Sequence, residues 1–402
     1  MDAFAVLQQQ VRQITAWAHP YRYPLRLLLL AILLNLPKLW LVWHMPNPNL
    51  LAPKDFSLSD GWLSYDDVSI FHLLDSDHRL TTVIGWFHGD WVQGNGYYRP
   101  LAATSMWLDY LLWHHRHRGY ALTSLLLQVI TGWLWALLLF LLFRNAALSL
   151  LTVSTFGIIW LPPSRVIIQH LSTRADCLCA VWMLASLLSA FRFWITGRWQ
   201  WLAITSITAL LALLSKEMAL TLPLLSILCA IVGRQLFSHC RRVIVTVFIF
   251  AVLVVVWWWA YQHFVPTAPT RLTLIKAGRI LNQYTLALAD TLPTIWFFWR
   301  WLCAFNHPAQ LLLLESWRYI FSFLVTALGL GLIARTIPSL LLFWLAWVAI
   351  CWLPLLPIRL MNPHYGYIPL LATYALIGGG IYGLLLTMQR ANYNLRIGCV
   401  TE

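Results

Sequence analysis

The sequence predicts an all-α polytopic membrane protein, and its composition and long apolar runs are the two observations that predict it. The chain has 402 residues, of which 60% are hydrophobic and only 10% charged, and its mean hydropathy is +0.69. A soluble core could not bury that much apolar surface. The runs are much longer than the roughly ten residues of a membrane-barrel strand. Because backbone groups in lipid need partners within their own segment, these runs predict helices.

Ten apolar runs are suitable for spans, and their order predicts the topology. An even number of crossings places both termini on one side, and the basic residues Arg12, Arg22 and Arg26 make that side the inner one. The first long loop then lies outside. The predicted spans are residues 25–44, 119–143, 147–163, 174–195, 199–214, 217–233, 242–264, 317–335, 337–355 and 366–388.

Two further apolar stretches would break this alternation if they crossed, so we assign both to the outer interface. The stretch at residues 98–113 is short, has Arg99-Pro100 at its start and carries Asp109. Residues 284–303 mix Arg300 with three tryptophans, a composition typical of interfacial helices. The chain is thus expected to form one membrane domain, residues 1–402, with an outer loop at 45–118 and a second outer region at 265–316.

The net charge of +13 does not indicate nucleic-acid binding here. The basic residues lie mainly in short loops between predicted spans, where they set topology and attract anionic lipid headgroups. We therefore expect membrane lipids as partners and no nucleic acid. The seven cysteines lie mostly in or beside apolar runs, without metal-ligand spacing, and are interpreted as small core residues.

The first outer loop is strongly acidic. Residues 45–97 hold half of the chain's fourteen acidic residues, against only Lys54 and Arg79. Asp66 and Asp67 stand side by side in this loop, ahead of an apolar periodic run. Such a pair suits either catalysis at the membrane surface or capping of a helix N-terminus.

Ionisable residues also gather at the predicted outer ends of the spans. Groups next to lipid are costly unless they are paired or used. A lipid-linked phosphate substrate would use them, because cations would hold the phosphate while a carboxylate acted as general base. The alternatives are local ion pairs, Arg174 with Asp176 and Lys216 with Glu217. The candidate set is Asp66, Asp67, Arg99, His170, Arg174, Asp176, Lys216, Glu217, Arg271, Lys276, His307, His364 and Tyr365.

The run His114-His115-Arg116-His117-Arg118 has a composition that could bind a metal. Its crowded spacing and the flanking arginines favour a solvated or headgroup-binding turn instead. We therefore predict no metal site.

Five motifs in order give the chain a resemblance to a known family. They are YDD (65–67), YYRPL (97–101), STRADCLCAVWMLASLL (172–188), LLSKEMALTLPLL (213–225) and HYGYIP (364–369). In these the chain resembles the GT-C membrane glycosyltransferases, and within them the transmembrane and tetratricopeptide-repeat O-mannosyltransferases and their bacterial relatives. The resemblance runs from about residue 64 to residue 383.

The resemblance implies a GT-C fold and an inverting transfer of sugar from a polyprenyl-phosphate donor, with no metal required. Asp66 or Asp67 would be the catalytic carboxylate. The residues expected around the donor phosphate and sugar are Arg99, His170, Arg174, Asp176, Lys216, Glu217, His364 and Tyr365.

The chain also departs from the family pattern. A stretch with two histidines and a glutamate is replaced by residues 161–165, Leu-Pro-Pro-Ser-Arg; the usual Glu-Arg-Tyr becomes Pro363-His364-Tyr365, and the sequence contains no tetratricopeptide repeats. These departures leave open a degenerate relative that serves as a scaffold or subunit of a membrane complex. A transporter is less favoured, because no paired internal repeats are visible.

The sequence leaves the acceptor and the membrane open. A glycan, a lipid or a protein could accept the sugar. We expect a bacterial inner membrane with the active face toward the periplasm, or alternatively the endoplasmic reticulum membrane.

Overall fold

The computed structural model describes residues 22–44, 65–91, 96–159, 167–168, 170–265, 328–355 and 363–398. Within these ranges the chain forms helices and turns and no strand, which confirms the all-α prediction. The α-helices are α1 Arg22–His44, α2 Tyr65–Ser76, α3 Leu80–Gly85, α4 Pro100–Trp113, α5 His117–Phe143, α6 Ala146–Ile158, α7 Arg174–Thr196, α8 Trp199–Ser215, α9 Leu222–Val232, α10 Gln235–Ser238, α11 Cys240–Phe264, α12 Leu328–Thr336, α13 Pro338–Trp352 and α14 Tyr367–Gly398. Short 3-10 helices at Leu171–Thr173, Glu217–Thr221, Leu353–Leu355 and Pro363–Gly366 precede or follow several of them.

The long apolar helices make the chain an integral membrane protein. Within the described ranges, five helical segments are long and apolar enough to cross a bilayer: α1, α5, Leu171–Thr196, α11 and residues Tyr367–Ala391 of α14. Helices α12 and α13 would add a sixth if they form one span, although they bend by 116° at their junction. The apolar helices α6, α8 and Glu217–Val232 are shorter. Ten crossings therefore stay a prediction.

The two stretches predicted to lie at the interface have different outcomes. Residues 98–113 form α4, which begins at Pro100, a residue suited to the first helical position. Its 14 residues extend about 21 Å at 1.5 Å per residue, less than the roughly 30 Å of a hydrocarbon core. Its place at the interface remains a prediction. Residues 284–303 lie outside the described part of the chain.

Helices α7 and α8 form an antiparallel hairpin whose turn is built around Gly197. This residue ends α7 with a φ of +69°, a conformation that glycine adopts without steric cost. Across the hairpin, Ser186 donates a hydrogen bond to the Thr205 carbonyl and the Thr205 hydroxyl donates to Ser189. Such interhelical bonds are typical of packed membrane helices. They fix the start of α7 beside the end of α8.

Small residues allow other helices to approach closely. A Cβ on Gly132 of α5 would lie 2.5 Å from the Phe156 ring of α6. A Cβ on Gly378 of α14 would lie 3.0 Å from the Thr152 backbone nitrogen. Small residues at such contacts are the usual means of tight packing in membranes. The starts of α5, α7 and α14 and the end of α8 all contribute to the candidate site described below.

A separate hydrophobic cluster joins helices α2, α3 and α4 to this bundle. It contains Ile70, Phe71 and Leu74 of α2, together with residues of α3 and α4, and it packs against Tyr120 and Leu171. This packing places the first turn of α2 beside the segment that precedes α7.

The cysteine prediction holds for most of the described cysteines. Cys177, Cys179, Cys229 and Cys351 are buried and free, whereas Cys240 is exposed. Cys303 and Cys399 lie outside the described residues.

Candidate functional site at the start of α7

Asp67 and His170 form a buried carboxylate–imidazole pair. Asp67 lies in the first turn of α2 and is fully buried. Its Oδ2 is 3.0 Å from Nδ1 of His170, and its Oδ1 accepts a 2.8 Å hydrogen bond from the Ser172 backbone N–H. Since an ionised carboxylate can only accept, we assign the proton to Nδ1 of His170. The His170 side chain is 17% exposed, so this pair reaches the protein surface through the imidazole.

This geometry decides the capping alternative for Asp67. The helix begins at Tyr65, so Asp67 lies inside its first turn, and its carboxylate bonds to His170 and Ser172, both more than 100 positions away in the chain. Capping of α2 is therefore not the role that the structure gives to Asp67. The side chain of Asp66 lies outside the described residues.

Arg174, the first residue of α7, joins α7 to α4 and α5. Its side chain is fully buried, and all three guanidinium nitrogens are engaged. Nε donates to Ser124 Oγ at 3.1 Å, and Nη2 donates to the Tyr120 carbonyl at 2.8 Å. Nη1 lies 2.6 Å from Oδ2 of Asp109 and 3.4 Å from Ser105 Oγ. Arg174 thus holds three helices together and has little bonding capacity left for a ligand.

Two further ion pairs lie beside the second turn of α7. Lys216 Nζ donates a 2.6 Å hydrogen bond to Oδ1 of Asp176, and both side chains are buried. Arg99 Nε donates to Oε2 of Glu217 at 2.9 Å, and Nη2 of Arg99 pairs with Oε1. Electrostatic interactions link Arg99 with Asp176 and Asp176 with Glu217. These residues, Arg99, Asp176, Lys216 and Glu217, form one group, which we name the four-charge cluster.

Aromatic rings surround the four-charge cluster. The Arg99 guanidinium carbon is 4.1 Å from the ring centroid of Tyr97 and 5.4 Å from that of Trp91. Lys216 Nζ is 4.8 Å from the ring centroid of Tyr365. Burial is the largest single influence and disfavours the charge of Arg99, but its negative neighbours, Glu217 foremost, together raise the pKa of Arg99. Arg99 is therefore a permanent cation.

The local ion pairs that the sequence left open as alternatives are wrong. Arg174 pairs with Asp109 and Asp176 with Lys216, while Glu217 pairs with Arg99. The physical reason is direction: residues one or two positions apart in a helical segment do not face each other. Each of these charges therefore finds its partner in another part of the chain.

Sequence reasoning missed two carboxylates that shape the site. The sequence predicts Asp109 only as part of an interfacial helix. In the structure Asp109 is the ion-pair partner of Arg174. The Asp90 carboxylate accepts hydrogen bonds from the backbone N–H groups of Trp91, Gly96 and Tyr97. An aspartate ahead of a glycine- and asparagine-containing stretch is a turn signal that could have identified it.

The histidine-rich turn forms a smaller polar group. His115 Nε2 is 3.4 Å from Oδ1 of Asp75, which also accepts a 2.6 Å hydrogen bond from the Tyr110 hydroxyl. The described residues contain no group of three His, Cys, Asp or Glu side chains placed to hold a metal. Arg271, Lys276 and His307 lie outside the described residues, as does the side chain of His364.

Part of the chain is similar to a curated membrane enzyme. It is 33% identical over 153 residues to protein O-mannosyl-transferase Tmtc1 of Drosophila melanogaster. The aligned stretch covers 37% of this chain and 16% of that relative's length. No protein-family profile and no solved structure matches the chain. The similarity supports a glycosyltransferase-like membrane protein and reaches no further.

Proposed function

We propose that the protein is an inverting glycosyltransferase that moves a sugar from a polyprenyl-phosphate donor to an acceptor hydroxyl. The observation that carries this proposal is the buried Asp67, which holds the partly exposed His170 a few residues before Asp176 of the four-charge cluster. A base and an adjacent polar site are the parts that such a transfer needs. The partial similarity to an O-mannosyl-transferase supports the same reaction class.

In the proposed reaction the Asp67–His170 pair accepts the proton of the acceptor hydroxyl. The oxygen of that hydroxyl forms a bond to the anomeric carbon of the donor sugar. The bond between this carbon and the phosphate oxygen breaks, and polyprenyl phosphate leaves with the bonding electrons. Asp67 keeps Nδ1 of His170 protonated, so Nε2 is the nitrogen that takes the proton. A single displacement of this kind inverts the anomeric centre, as in inverting glycosidases.

Arg99 and Lys216 are the cations that we assign to the donor phosphate. Asp176 takes one of the three N–H donors of Lys216, and Glu217 occupies Nε and Nη2 of Arg99. Arg174 was an equal candidate from the sequence. Its three engaged nitrogens argue for a structural role instead. The proposed reaction requires neither metal nor nucleotide.

A scaffold role is the second candidate, and one observation favours it. Each of the three buried site cations already has a carboxylate partner: Arg99 has Glu217, Arg174 has Asp109 and Lys216 has Asp176. A network of this kind is electrostatically complete without a ligand. A degenerate relative in a membrane complex could retain it purely for stability.

Lipid binding by the purified protein separates the two candidates. Native mass spectrometry of the full chain would compare polyprenyl phosphate with the matched polyprenol, which lacks the phosphate. The glycosyltransferase proposal predicts at least tenfold preference for the phosphate lipid. The double variant Asp176→Asn/Lys216→Gln removes both charges of a buried pair and should lose this preference while remaining folded.

The matched control is Asp77→Asn/Arg79→Gln, which removes an ion pair of similar geometry at an exposed position. It should bind the phosphate lipid as the wild type does. Equal binding of both lipids by the wild type, together with stable co-purification of a fixed partner, would instead support the scaffold.

The proposal extends to the membrane and the acceptor. We place the site at the periplasmic face of a bacterial inner membrane, with the lumenal face of the endoplasmic reticulum as the alternative. The acceptor hydroxyl belongs to a glycan, a lipid or a protein.

A further inference from the structure

The four-charge cluster and its aromatic neighbours form two layers that differ in exposure. Asp176 and Lys216 are buried, with side chains 2% and 1% exposed. Glu217 is 18% exposed, and Tyr97 and Tyr365 are also partly exposed. The most exposed members of this group are therefore one carboxylate and two tyrosines, while Asp176 and Lys216 are buried.

The charges of this cluster cancel. Arg99 and Lys216 contribute two positive charges, and Asp176 and Glu217 contribute two negative charges. The exposed charge is thus the carboxylate of Glu217, which repels a phosphate placed directly against it. Each carboxylate has about four lone-pair positions, and Arg99 occupies one on each oxygen of Glu217. The remaining positions can accept hydrogen bonds from ligand hydroxyls.

The two tyrosines lie beside the cations that pair with Glu217 and Asp176. Tyr365 interacts electrostatically with Tyr97, Arg99 and Glu217. Each ring has a cation near it, the Arg99 guanidinium for Tyr97 and the Lys216 ammonium for Tyr365. These cation–π contacts restrain both rings beside the carboxylate.

We propose that Tyr97, Glu217 and Tyr365 form the subsite that binds the hydroxylated ring of the donor sugar. The carboxylate of Glu217 accepts hydrogen bonds from ring hydroxyls, and the tyrosine rings pack against the C–H surface of the sugar. The phosphate is assigned to Arg99 and Lys216 in the more buried layer. This inference rests on the proposed glycosyltransferase function and divides the donor between the two layers.

Asp90 and Tyr261 are positioning residues for this subsite. The Asp90 carboxylate binds the N–H groups of Gly96 and Tyr97, and the Tyr261 hydroxyl donates a 2.8 Å hydrogen bond to the Gly96 carbonyl. The first contact fixes the backbone of Gly96 and Tyr97, and the second ties Gly96 to α11. Together they hold the Tyr97 ring over Arg99.

Two donor lipids test the subsite in the full chain. The dissociation constants of polyprenyl phosphate and polyprenyl-phosphate mannose would be measured for the wild type, Tyr97→Ala, Tyr97→Phe and Glu217→Gln. The ratio of the two constants isolates the contribution of the sugar. Tyr98→Phe is the control, because the neighbouring Tyr98 hydroxyl donates to the Phe87 carbonyl outside this cluster.

We expect the wild type to bind the mannose-bearing lipid about tenfold more tightly than the bare phosphate lipid, the factor that 1.4 kcal/mol produces. Tyr97→Ala should abolish this preference and change bare-lipid affinity less than twofold. Glu217→Gln should also abolish the preference, but its bare-lipid affinity should not fall, because the carboxylate that repels the phosphate is removed. Tyr97→Phe should retain most of the preference, since the ring remains, and Tyr98→Phe all of it.

The possible failures have different signatures. A wild type that prefers the mannose lipid, with variants that keep the preference, overturns the subsite alone. Equal loss of affinity for both lipids in Glu217→Gln also overturns it, because that residue would then act on the phosphate or on folding. A wild type that binds neither lipid overturns the proposed function and this inference with it.

Discussion

Two carboxylate pairs connect α2 and α4 to the start of α7, and they differ in the bonding capacity that they leave for a substrate. Asp109 meets Arg174, whose side chain is fully buried and whose three nitrogens all have partners. Asp67 meets His170, whose side chain is 17% exposed and whose second ring nitrogen points away from that carboxylate bond. Arg174 and His170 are only four positions apart in the sequence. Exposure and remaining bonding capacity, rather than residue type, distinguish a structural pair from a reactive one.

Breaking the Asp109–Arg174 pair should have the largest effect on folding. Arg174→Met leaves Asp109 as an uncompensated buried carboxylate, a change that costs about 3–5 kcal/mol. We expect the amount of folded protein and the thermal unfolding temperature in detergent to fall sharply. The double variant Arg174→Met/Asp109→Asn removes the stranded charge and should recover a substantial part of the loss. No recovery would show that Asp109 is not the partner that matters.

Breaking the Asp67–His170 pair should instead affect turnover. Asp67→Asn keeps the shape of the side chain but removes its charge, so we expect the transfer rate to fall by about 10²–10⁴, the usual contribution of a general base. Because Asn can still accept from the Ser172 N–H, the unfolding temperature should change far less than in Arg174→Met. If the Asp67→Asn protein were both inactive and unfolded, the Asp67–His170 pair would be structural, like the pair of Asp109 and Arg174.

A double variant of Asp67 and His170 tests whether the two residues act together in turnover. If Asp67 and His170 act as one proton acceptor, His170→Gln should lower turnover about as much as Asp67→Asn. The double variant should then be no slower than either single one, since residues that act as a unit are strongly non-additive. Multiplicative losses in the double variant would argue that Asp67 and His170 serve separate steps.

Asp66→Asn separates the two neighbouring aspartates that the sequence left equivalent. We expect turnover to fall less than tenfold, because the proposed base is Asp67 through its bond to His170. Rates of both single variants would be measured under the same conditions. A larger loss in Asp66→Asn than in Asp67→Asn would transfer the role of base to Asp66.

The exposed pair of Asp77 and Arg79 should give the smallest effect and a characteristic pH dependence. Hydrogen bonds from Arg79 and Thr82 hold the pKa of Asp77 below its ordinary value. A lowered pKa contributes stability that is present above the unfolded-state value of about 4 and is lost as the pH falls through the folded-state value. The small difference in unfolding temperature between wild type and Asp77→Asn should therefore be seen at pH 7 and shrink below about pH 4.

A difference that grows on acidification would reverse the sign of this effect. It would mean that Asp77 is not stabilised in its charged form by Arg79 and Thr82.

The sequence predicts the helical class of this protein better than its ion-pair partners. Composition and run length are sufficient for an all-α membrane domain, because lipid allows few other structures. Span count is harder, because α6 has 13 residues and α8 has 17, both shorter than a typical crossing.

The pairing of Arg174 with Asp109 required the fold. The two residues are 65 positions apart, and Asp176 is a nearer and equally plausible partner on the chain. Only the packing of α4 and α5 against α7 decides between them. The same holds for Tyr97, whose backbone N–H donates to the Asp90 carboxylate seven positions earlier in the chain.

The most direct test of the proposed function is sugar transfer from polyprenyl-phosphate mannose carrying a radiolabel in the sugar. Purified wild type, Asp67→Asn and Asp77→Asn would each be incubated with this donor and a membrane extract that supplies acceptors, and the label leaving the donor lipid would be counted. We predict Asp67-dependent transfer: wild type and Asp77→Asn transfer label at similar rates, and Asp67→Asn is slower by a factor of at least about 100. Transfer by a folded Asp67→Asn variant at the wild-type rate would contradict the proposed mechanism.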